Sequence, residues 1–586
     1  MAENVGEPYR GRGLRTAPLR TAQWYAGTDR NSYIHRAWMR RGLPENAFDG
    51  RPHIAIANTT SDLTPCNSHL DEVMESVKAG IWEAGGVPLD LPVVSLGETQ
   101  VRPTAMLWRN MAAMATEEML RANPIDGVVL LGGCDKTIPS LLMAAASVDL
   151  PAIVVPGGAM KTGTFQGVAL GCGTDVWRLS EEVRGGTLSE KEFLTSESSM
   201  VSSKGHCNTM GTASTMALVT EALGMIIPGL AGTPAVDARL LENSHETGKL
   251  IVDLIAADRR PSTFLTKGSF QNAIVALAAI GGSTNAVVHL LAIAGRLGIS
   301  LTLDDFDAIG SGVPLLVNLQ PAGRYLMDDF HRAGGLLSVL REVKDLLDPT
   351  ALTVTGKTLV SSLDGARIWD TEVISVRESP LIPDAGIAVL RGNLAPGGAI
   401  IKPAAASPHL LQHRGQAVVF DSIEDMHARI DDPDLDVTAD SMLVLRGCGP
   451  KGYPGMPEVA NMPLPKKLLE QGVRDMVRIC DGRMSGTAYG TVILHVTPEA
   501  AAGGPLGIVE TGDWIILDVP KRRLTLDVTQ EVLNSRSPNK ATLDGFAKPT
   551  RGWEKLYVDH VMQADTGADL DFLQGSSGDK VSRESH

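Results

Sequence analysis

The sequence is poor in cysteine, has no excess of positive charge and contains no long unbroken apolar run, and each shortage removes a class of protein. Six cysteines in 586 residues are too few for a disulfide scaffold. Arg10, Arg12, Arg15 and Arg20 precede no apolar stretch, so no secretory signal or membrane anchor is visible. Together these features point to a reducing cytoplasm and to thiols kept for packing or metal chemistry. A formal charge of -15 offers no broad basic face to nucleic acid or an anionic membrane, so small-molecule ligands are expected. The most apolar long stretch, 272–295, is interrupted by Gly281-Gly282-Ser283-Thr284-Asn285 and carries His289. It reads as two buried helical pieces around a loop. No solenoid repeat is present. Gly356-Lys357-Thr358 is not a phosphate loop, because Ala351 stands where the first glycine is required.

What remains is an ordinary globular composition, 43% hydrophobic and 21% charged, long enough for two or three domains. Residues 1–50 form a basic and aromatic N-terminal arm, with Trp24-Tyr25 and a second patch over 33–38, placed either against another subunit or along the chain's own surface. From His53 an α/β alternation sets in, predicting parallel strands over 54–58, 91–96, 125–131 and 151–155 with helices between them. Residues 225–370 read as mainly helical. After about 375 short β-rich runs recur between Gly and Pro turns, ending in a hairpin-like 514–527. The fold class is therefore α/β: a parallel-sheet domain over 51–375, then a barrel-like β domain with flanking helices over 376–572. The polar tail, 573–586, is expected to be disordered.

Chemistry concentrates at strand ends. Gly133-Cys134-Asp135-Lys136 sets a thiol, a carboxylate and an amine directly after a buried strand, where open α/β sheets collect ligands. Taken alone, this reads more readily as a tight turn with a buried Cys and a solvated Asp-Lys pair. However, Cys66 follows the first strand and Glu98 the second, so three successive strands end in a metal-ligand type. Cys207 lies among small hydroxylated residues at a helix start, in a field that favours its thiolate. In the second domain, the Gly- and Pro-rich loop 447–458 ends in Glu458. The loop Asp481-Gly482-Arg483-Met484-Ser485-Gly486-Thr487 holds two hydroxyls but lacks the spacing of a nucleophile elbow.

Thr-Pro-Cys-Asn at 64–67, Gly-Cys-Asp-Lys at 133–136, Cys-Asn-Thr-Met-Gly-Thr-Ala at 207–213, Gly-Gly-Ser-Thr-Asn at 281–285, Gly-Pro-Lys-Gly-Tyr-Pro-Gly-Met at 449–456 and Asp-Gly-Arg-Met-Ser-Gly at 481–486 occur in this order. With them the chain resembles the dihydroxy-acid and phosphogluconate dehydratase family over about 30–560. Residues 33–39 and 391–396 look most like its sugar-acid branch, which acts on arabinonate and xylonate. The resemblance implies dehydration of a 2,3-dihydroxy acid to a 2-keto-3-deoxy acid by a cytoplasmic homodimer or homotetramer. It implies a 2Fe-2S cluster on Cys66, Cys134 and Cys207, with one iron position left open for Lewis-acid work. Cys172, Cys448 and Cys480 match no ligand position and default to packing. Zinc is the rival, since His69 and His206 lie near the same cysteines, although compact Cys-x-x-Cys pairs are absent. The resemblance further implies Mg2+ held by Glu98, Asp135, Glu458 and a carbamylated Lys136, because a free ammonium repels a dication. It makes Ser485 the base at C2 and Thr487 a substrate-orienting residue. Tyr453 replaces a glycine of many members and is expected at the substrate end, while Arg102, His35 and Tyr33 stay outside the catalytic set. The alternatives are dihydroxy-acid dehydratase of branched-chain amino-acid synthesis, with a smaller and more apolar substrate, and an iron-sulfur sensor. A sensor gives Glu98, Glu458 and Ser485 no task.

Overall fold

A computed structural model describes residues 18–537 and 548–580. Its first unit is a four-stranded parallel sheet in the order β2-β1-β3-β4, built from β1 (His53–Asn58), β2 (Val87–Pro92), β3 (Gly127–Gly132) and β4 (Ala152–Pro156). Every residue of β1, β3 and β4 is buried. Helices cover both faces of such a sheet, which is why these strands are unbroken apolar runs without alternation. β2 corrects the sequence reading, which put this strand over 91–96. It starts at Val87 and carries Pro88 and Pro92, residues that only an edge strand tolerates, and it is an edge strand. The chain beyond it crosses the sheet end irregularly and delivers Glu98. Helices Leu70–Glu83 and Ala238–Ala256 cross closely on one face. A Cβ at Gly80 would lie 1.9 Å from the His245 carbonyl oxygen, and one at Gly248 would lie 2.2 Å from that of Val77, so both crossing points require glycine. Residues 272–295 form the expected two buried helical pieces, within Lys267–Ala279 and Asn285–Arg296.

A short hairpin, β5 (Gly163–Phe165) and β6 (Val168–Leu170), precedes the helical middle of the chain. The second unit is a closed barrel of β7 (Ala388–Gly392), β8 (Ala395–Ile401), β9 (Gln412–Phe420), β10 (Met442–Leu445), β11 (Arg478–Cys480), β12 (Val492–Thr497), β13 (Trp514–Asp518) and β14 (Arg523–Leu526). Its strand order is β10-β11-β12-β8-β7-β14-β13-β9. Alternate residues point opposite ways, as strand geometry demands. Leu390, Ile401, Val419, Val444, Ile479 and Leu517 fill the barrel. Their neighbours Val389, Ile400, Val418, Leu443, Leu445 and Leu494 join the core of the α/β unit. The two units therefore share one apolar core, and the sheet end of the first faces loops of the second.

The N-terminal arm hugs its own α/β unit: Thr21 donates from N and Oγ1 to Asp126 at 2.9 and 2.7 Å, and the Arg20 guanidinium caps the carbonyls of Asn123 and Ile125. Arg10, Arg12 and Arg15 lie outside the described residues. The tail is a second correction. Through Lys580 it is docked, with Ser576 Oγ donating to the Ser147 carbonyl at 2.6 Å and Gly575 N to that of Gly295 at 2.9 Å. Polar composition hid this because backbone groups and hydroxyls make the contacts. Among the described residues no helix is long and apolar enough to cross a membrane.

Candidate active site

The ends of β1, β2 and β3 converge. Cys66 sits in the single 3-10 turn Pro65–Asn67, and Cys134, Asp135 and Lys136 lie between β3 and the helix Thr137–Val148. Asn67 ties the two segments together, its Oδ1 accepting from Gly133 N at 3.1 Å. A loop of the barrel unit closes over them with Glu458 and Arg483, paired through a β-bridge.

At the centre is a fully buried Lys136. Its Nζ is 2.9 Å from Glu98 Oε2, 3.7 Å from Glu458 Oε1 and 3.8 Å from Asp135 Oδ2. Beyond this ion pair, Lys136 Nζ and Glu98 Oε2 are buried without a further hydrogen-bond partner. Arg483, also fully buried, donates to Glu458 Oε1 at 2.7 Å, to the Met456 carbonyl at 2.7 Å and to Thr104 Oγ1 at 3.2 Å. Burial would raise Glu98, but Lys136 and Arg483 outweigh it and hold its carboxyl low. Asp135 is pushed up to about 7 by burial, with Glu98 and Glu458 adding repulsion that Lys136 only partly relieves. Glu458 is raised by burial and by Glu98. Three carboxylates against two cations leave a negative, oxygen-lined and undersatisfied cradle, the donor set a hard dication prefers. The free ammonium, in contact with all three carboxylates, is at odds with a dication. Carbamylation would turn it into a further oxygen ligand.

Asn285 was placed in its loop by the sequence, but its task was not visible there. Its Nδ2 lies 2.8 Å from Glu458 Oε1, 3.0 Å from Thr212 Oγ1 and 3.2 Å from the Met484 carbonyl. One side chain thus spans the helical core, the carboxylate cradle and the serine loop. Lys402 from the barrel donates to the Gly281 carbonyl at 2.5 Å and secures the other end of that loop.

In the serine loop, Ser485 Oγ and Thr487 Oγ1 are 3.0 Å apart, and Thr487 N donates to Ser485 Oγ at 3.4 Å. Trp177 Nε1 donates to Thr487 Oγ1 at 3.3 Å. An indole N–H can only donate, so the Thr487 hydroxyl hydrogen is free to point at Ser485. Two donors from Thr487 therefore face the serine oxygen. Neither Trp177 nor Thr174, which donates to the Thr487 carbonyl at 2.9 Å, carried any sequence signal.

The thiols lie near one another. Cys66, ahead of burial, pushes the Cys134 thiol well up. Cys207 Sγ is 3.6 Å from Cys172 Sγ, so Cys172 is at the site and not a mere packing residue. Among the described residues, the one trio of Cys, His or carboxylate ligand atoms within 4.8 Å of one another is Cys448, Cys480 and Asp481, deep in the barrel unit. Both Asp481 oxygens there accept backbone N–H groups, from Cys448 at 2.8 Å and from Ala500 at 3.0 Å, so the trio reads as a latch between loops. Cys66, Cys134, Cys207, His69 and His206 contain no such trio. A single zinc ion would require one.

Residues 51–362 match the family described as dihydroxy-acid/6-phosphogluconate dehydratase N-terminal, and residues 372–568 match its C-terminal counterpart. The chain belongs to this dehydratase family. It is 55% identical to an L-arabinonate dehydratase of Rhizobium leguminosarum bv. trifolii, covering 97% of this chain and 98% of that one. It is 41% identical to a D-xylonate dehydratase of Caulobacter vibrioides, covering 94% and 95%, and 38% identical to a dihydroxy-acid dehydratase of Methanobrevibacter smithii, covering 92% and 97%.

Proposed function

We propose that the protein is a hydro-lyase that converts sugar acids, pentonates such as arabinonate or xylonate in particular, to 2-keto-3-deoxy acids. The observation that carries this reading is the convergence of Glu98, Asp135 and Lys136 with Glu458 beside Ser485, from two units of the fold. Cys66, Cys134 and Cys207 would hold a 2Fe-2S cluster, and Glu98, Asp135, Glu458 and a carbamylated Lys136 would hold magnesium. When bound, these groups supply the Lewis acidity that makes the C2 proton removable and the C3 hydroxyl a leaving group.

The protein's own residues do the rest. Ser485, as an alkoxide, takes the C2 proton. Its negative oxygen is stabilised by the Thr487 hydroxyl and amide, an arrangement that lowers a hydroxyl pKa by hydrogen-bonding the charged form. The C2–H electron pair becomes the C2–C3 double bond as hydroxide leaves C3 and departs as water after protonation. The enol then takes a proton at C3 and gives up the proton on its C2 oxygen, becoming the 2-keto acid. Arg483 and Asn285 keep Glu458 aimed, and Trp177 keeps Thr487 in the donating orientation. A cavity of about 180 Å³ adjoins this loop, lined by Trp177, Arg184, His427, Asn461, Arg478 and Tyr489. Arg184 Nη1, Asn461 Oδ1 and Arg478 Nε are buried there without partners.

The test is 2-keto acid release by anaerobically purified, magnesium-supplied protein given pentonates, hexonates and dihydroxyisovalerate in parallel. Faster turnover of the sugar acids is expected. Preference for dihydroxyisovalerate would overturn the substrate assignment, and no turnover of any acid by cluster-loaded protein would overturn the reaction.

A further inference from the structure

The Gly- and Pro-rich loop 447–458 delivers Glu458 to the cradle outside any helix or strand, so its path must be fixed by other contacts. Glu499, which follows β12 and is fully buried, supplies them. Its Oε2 accepts from Gly452 N at 2.9 Å and from Lys451 N at 3.0 Å. Its Oε1 accepts from Lys451 N at 2.9 Å and from Gln563 Nε2 at 2.8 Å. Gln563 in turn takes the Glu499 N–H on its Oε1 at 2.8 Å. Two successive backbone amides aimed at one carboxylate form a nest for an anion. The carboxylate fits only because residue 449 is glycine, since a Cβ there would fall 2.4 Å from Glu499 Oε2.

From that grip the chain has little slack on its way to Glu458. Tyr453 N donates to the Gly449 carbonyl at 3.2 Å, and Met456 N donates to that of Tyr453 at 2.9 Å. Gly455, with φ +94°, lies so close to Leu107 that a Cβ would be 2.5 Å from the Leu107 nitrogen. The Met456 carbonyl is held by Arg483 at 2.7 Å. Asp481 fixes the start of the same loop through Gly447 N at 3.2 Å and Cys448 N at 2.8 Å. Burial and the neighbouring Asp481 push the Glu499 carboxyl up to about 7, against the pull of its donors. Burying a carboxylate is costly, but a glutamine amide in its place would turn a donor towards one of these three donors.

We propose that Glu499 is a positioning residue of the metal cradle: by clasping the amides of Lys451 and Gly452 it sets the loop so that Glu458 enters the cradle beside Glu98 and Asp135. This rests on the magnesium reading above. Gln563 completes the clasp, so the C-terminal segment of the chain acts on the cradle through it.

A reciprocal exchange of residues tests this. Glu499→Gln sets an NH2 group against Gln563 or against the loop amides, whichever way it turns, and Gln563→Glu sets two carboxylates face to face. In the double variant the new amide donates to the new carboxylate and keeps its oxygen for the Lys451 and Gly452 amides. Magnesium is titrated by calorimetry into anaerobically purified protein at pH 8, where the carboxyl is ionised, alongside urea unfolding. Each single variant should weaken magnesium binding about tenfold, and the double variant should recover most of that loss. Single variants that bind magnesium as the wild type does, even with a lower urea midpoint, would make Glu499 structural only and overturn the proposal. A double variant no better than either single would overturn it too. If the variants fail to fold, hydrogen exchange of the wild-type segment 449–458 decides: slow exchange of the Lys451 and Gly452 amides is expected, and exchange at the rate of an open loop would overturn the clasp. Wild-type protein that binds no magnesium would overturn the clasp and the metal reading together, whereas binding without turnover would overturn only the reaction.

Discussion

Replacing Asn285 by alanine tests whether the two units are coupled through the carboxylate cradle. Three acceptors surround Asn285 Nδ2, but a primary amide has two hydrogens, so two bonds at most are full at once. The one to Glu458 is charge-assisted and is worth about 1.5–3 kcal/mol, and a neutral one is worth about 0.5–1.5 kcal/mol. Asn285→Ala should therefore cost about 2–4.5 kcal/mol in urea unfolding of the metal-free protein. Glu458 keeps Arg483 at 2.7 Å but loses its second anchor, so the magnesium concentration for half-maximal 2-keto acid release should rise by about 10–100-fold, the usual effect of removing a group that orients a metal ligand. Saturating magnesium should restore most of kcat. Asn285→Asp should be worse, because it sets a second carboxylate against Glu458. A magnesium curve that superimposes on the wild type would refute the coupling, even if stability fell, since packing alone would then explain the loss.

Ser485→Ala should lower kcat about a hundred- to ten-thousandfold, as loss of a positioned base does, with iron and sulfide content unchanged; loss of the cluster instead would make the serine structural. Arg296 is fully buried between Asp569 at 2.6 Å and Glu117 at 2.7 Å, so Arg296→Leu should cost about 3–5 kcal/mol by stranding both carboxylates, read as a lower urea midpoint and faster proteolysis after Tyr557; a cost below about 1 kcal/mol would class it with surface pairs. Burial pushes His495 down from 6.5 to about 3, with Arg483 adding to the shift. The unfolded chain then binds the extra proton, so this stability is complete above about pH 6.5 and is lost as the pH falls towards 3, about 2 kcal/mol of it by pH 5. His495→Asn, which tolerates the positive φ of 55° found there, should flatten that part of the pH profile, and an unchanged slope would refute it.

The parallel sheet was legible because β1, β3 and β4 are buried on both faces and so appear as continuous apolar runs. β2 was misplaced because an edge strand with two prolines carries the weakest such signal. The barrel strands were legible one by one, yet their closure was not. Val389 and Leu390 are equally apolar, and only long-range pairing decides which fills the barrel and which joins the shared core. The site divides along the same line. Cys66, Glu98 and Cys134 could be read because each follows a strand of one sheet, so topology brings them to one edge. Arg483, Trp177 and Asn285 act across the junction of the two units, where sequence order holds no distance information. Cys172 stands 35 residues from Cys207 and belongs to no strand end. Its two flanking glycines were the available signal: a cysteine between residues that must lack side chains lies where the backbone is squeezed against something, and here that is the second thiol and the serine loop.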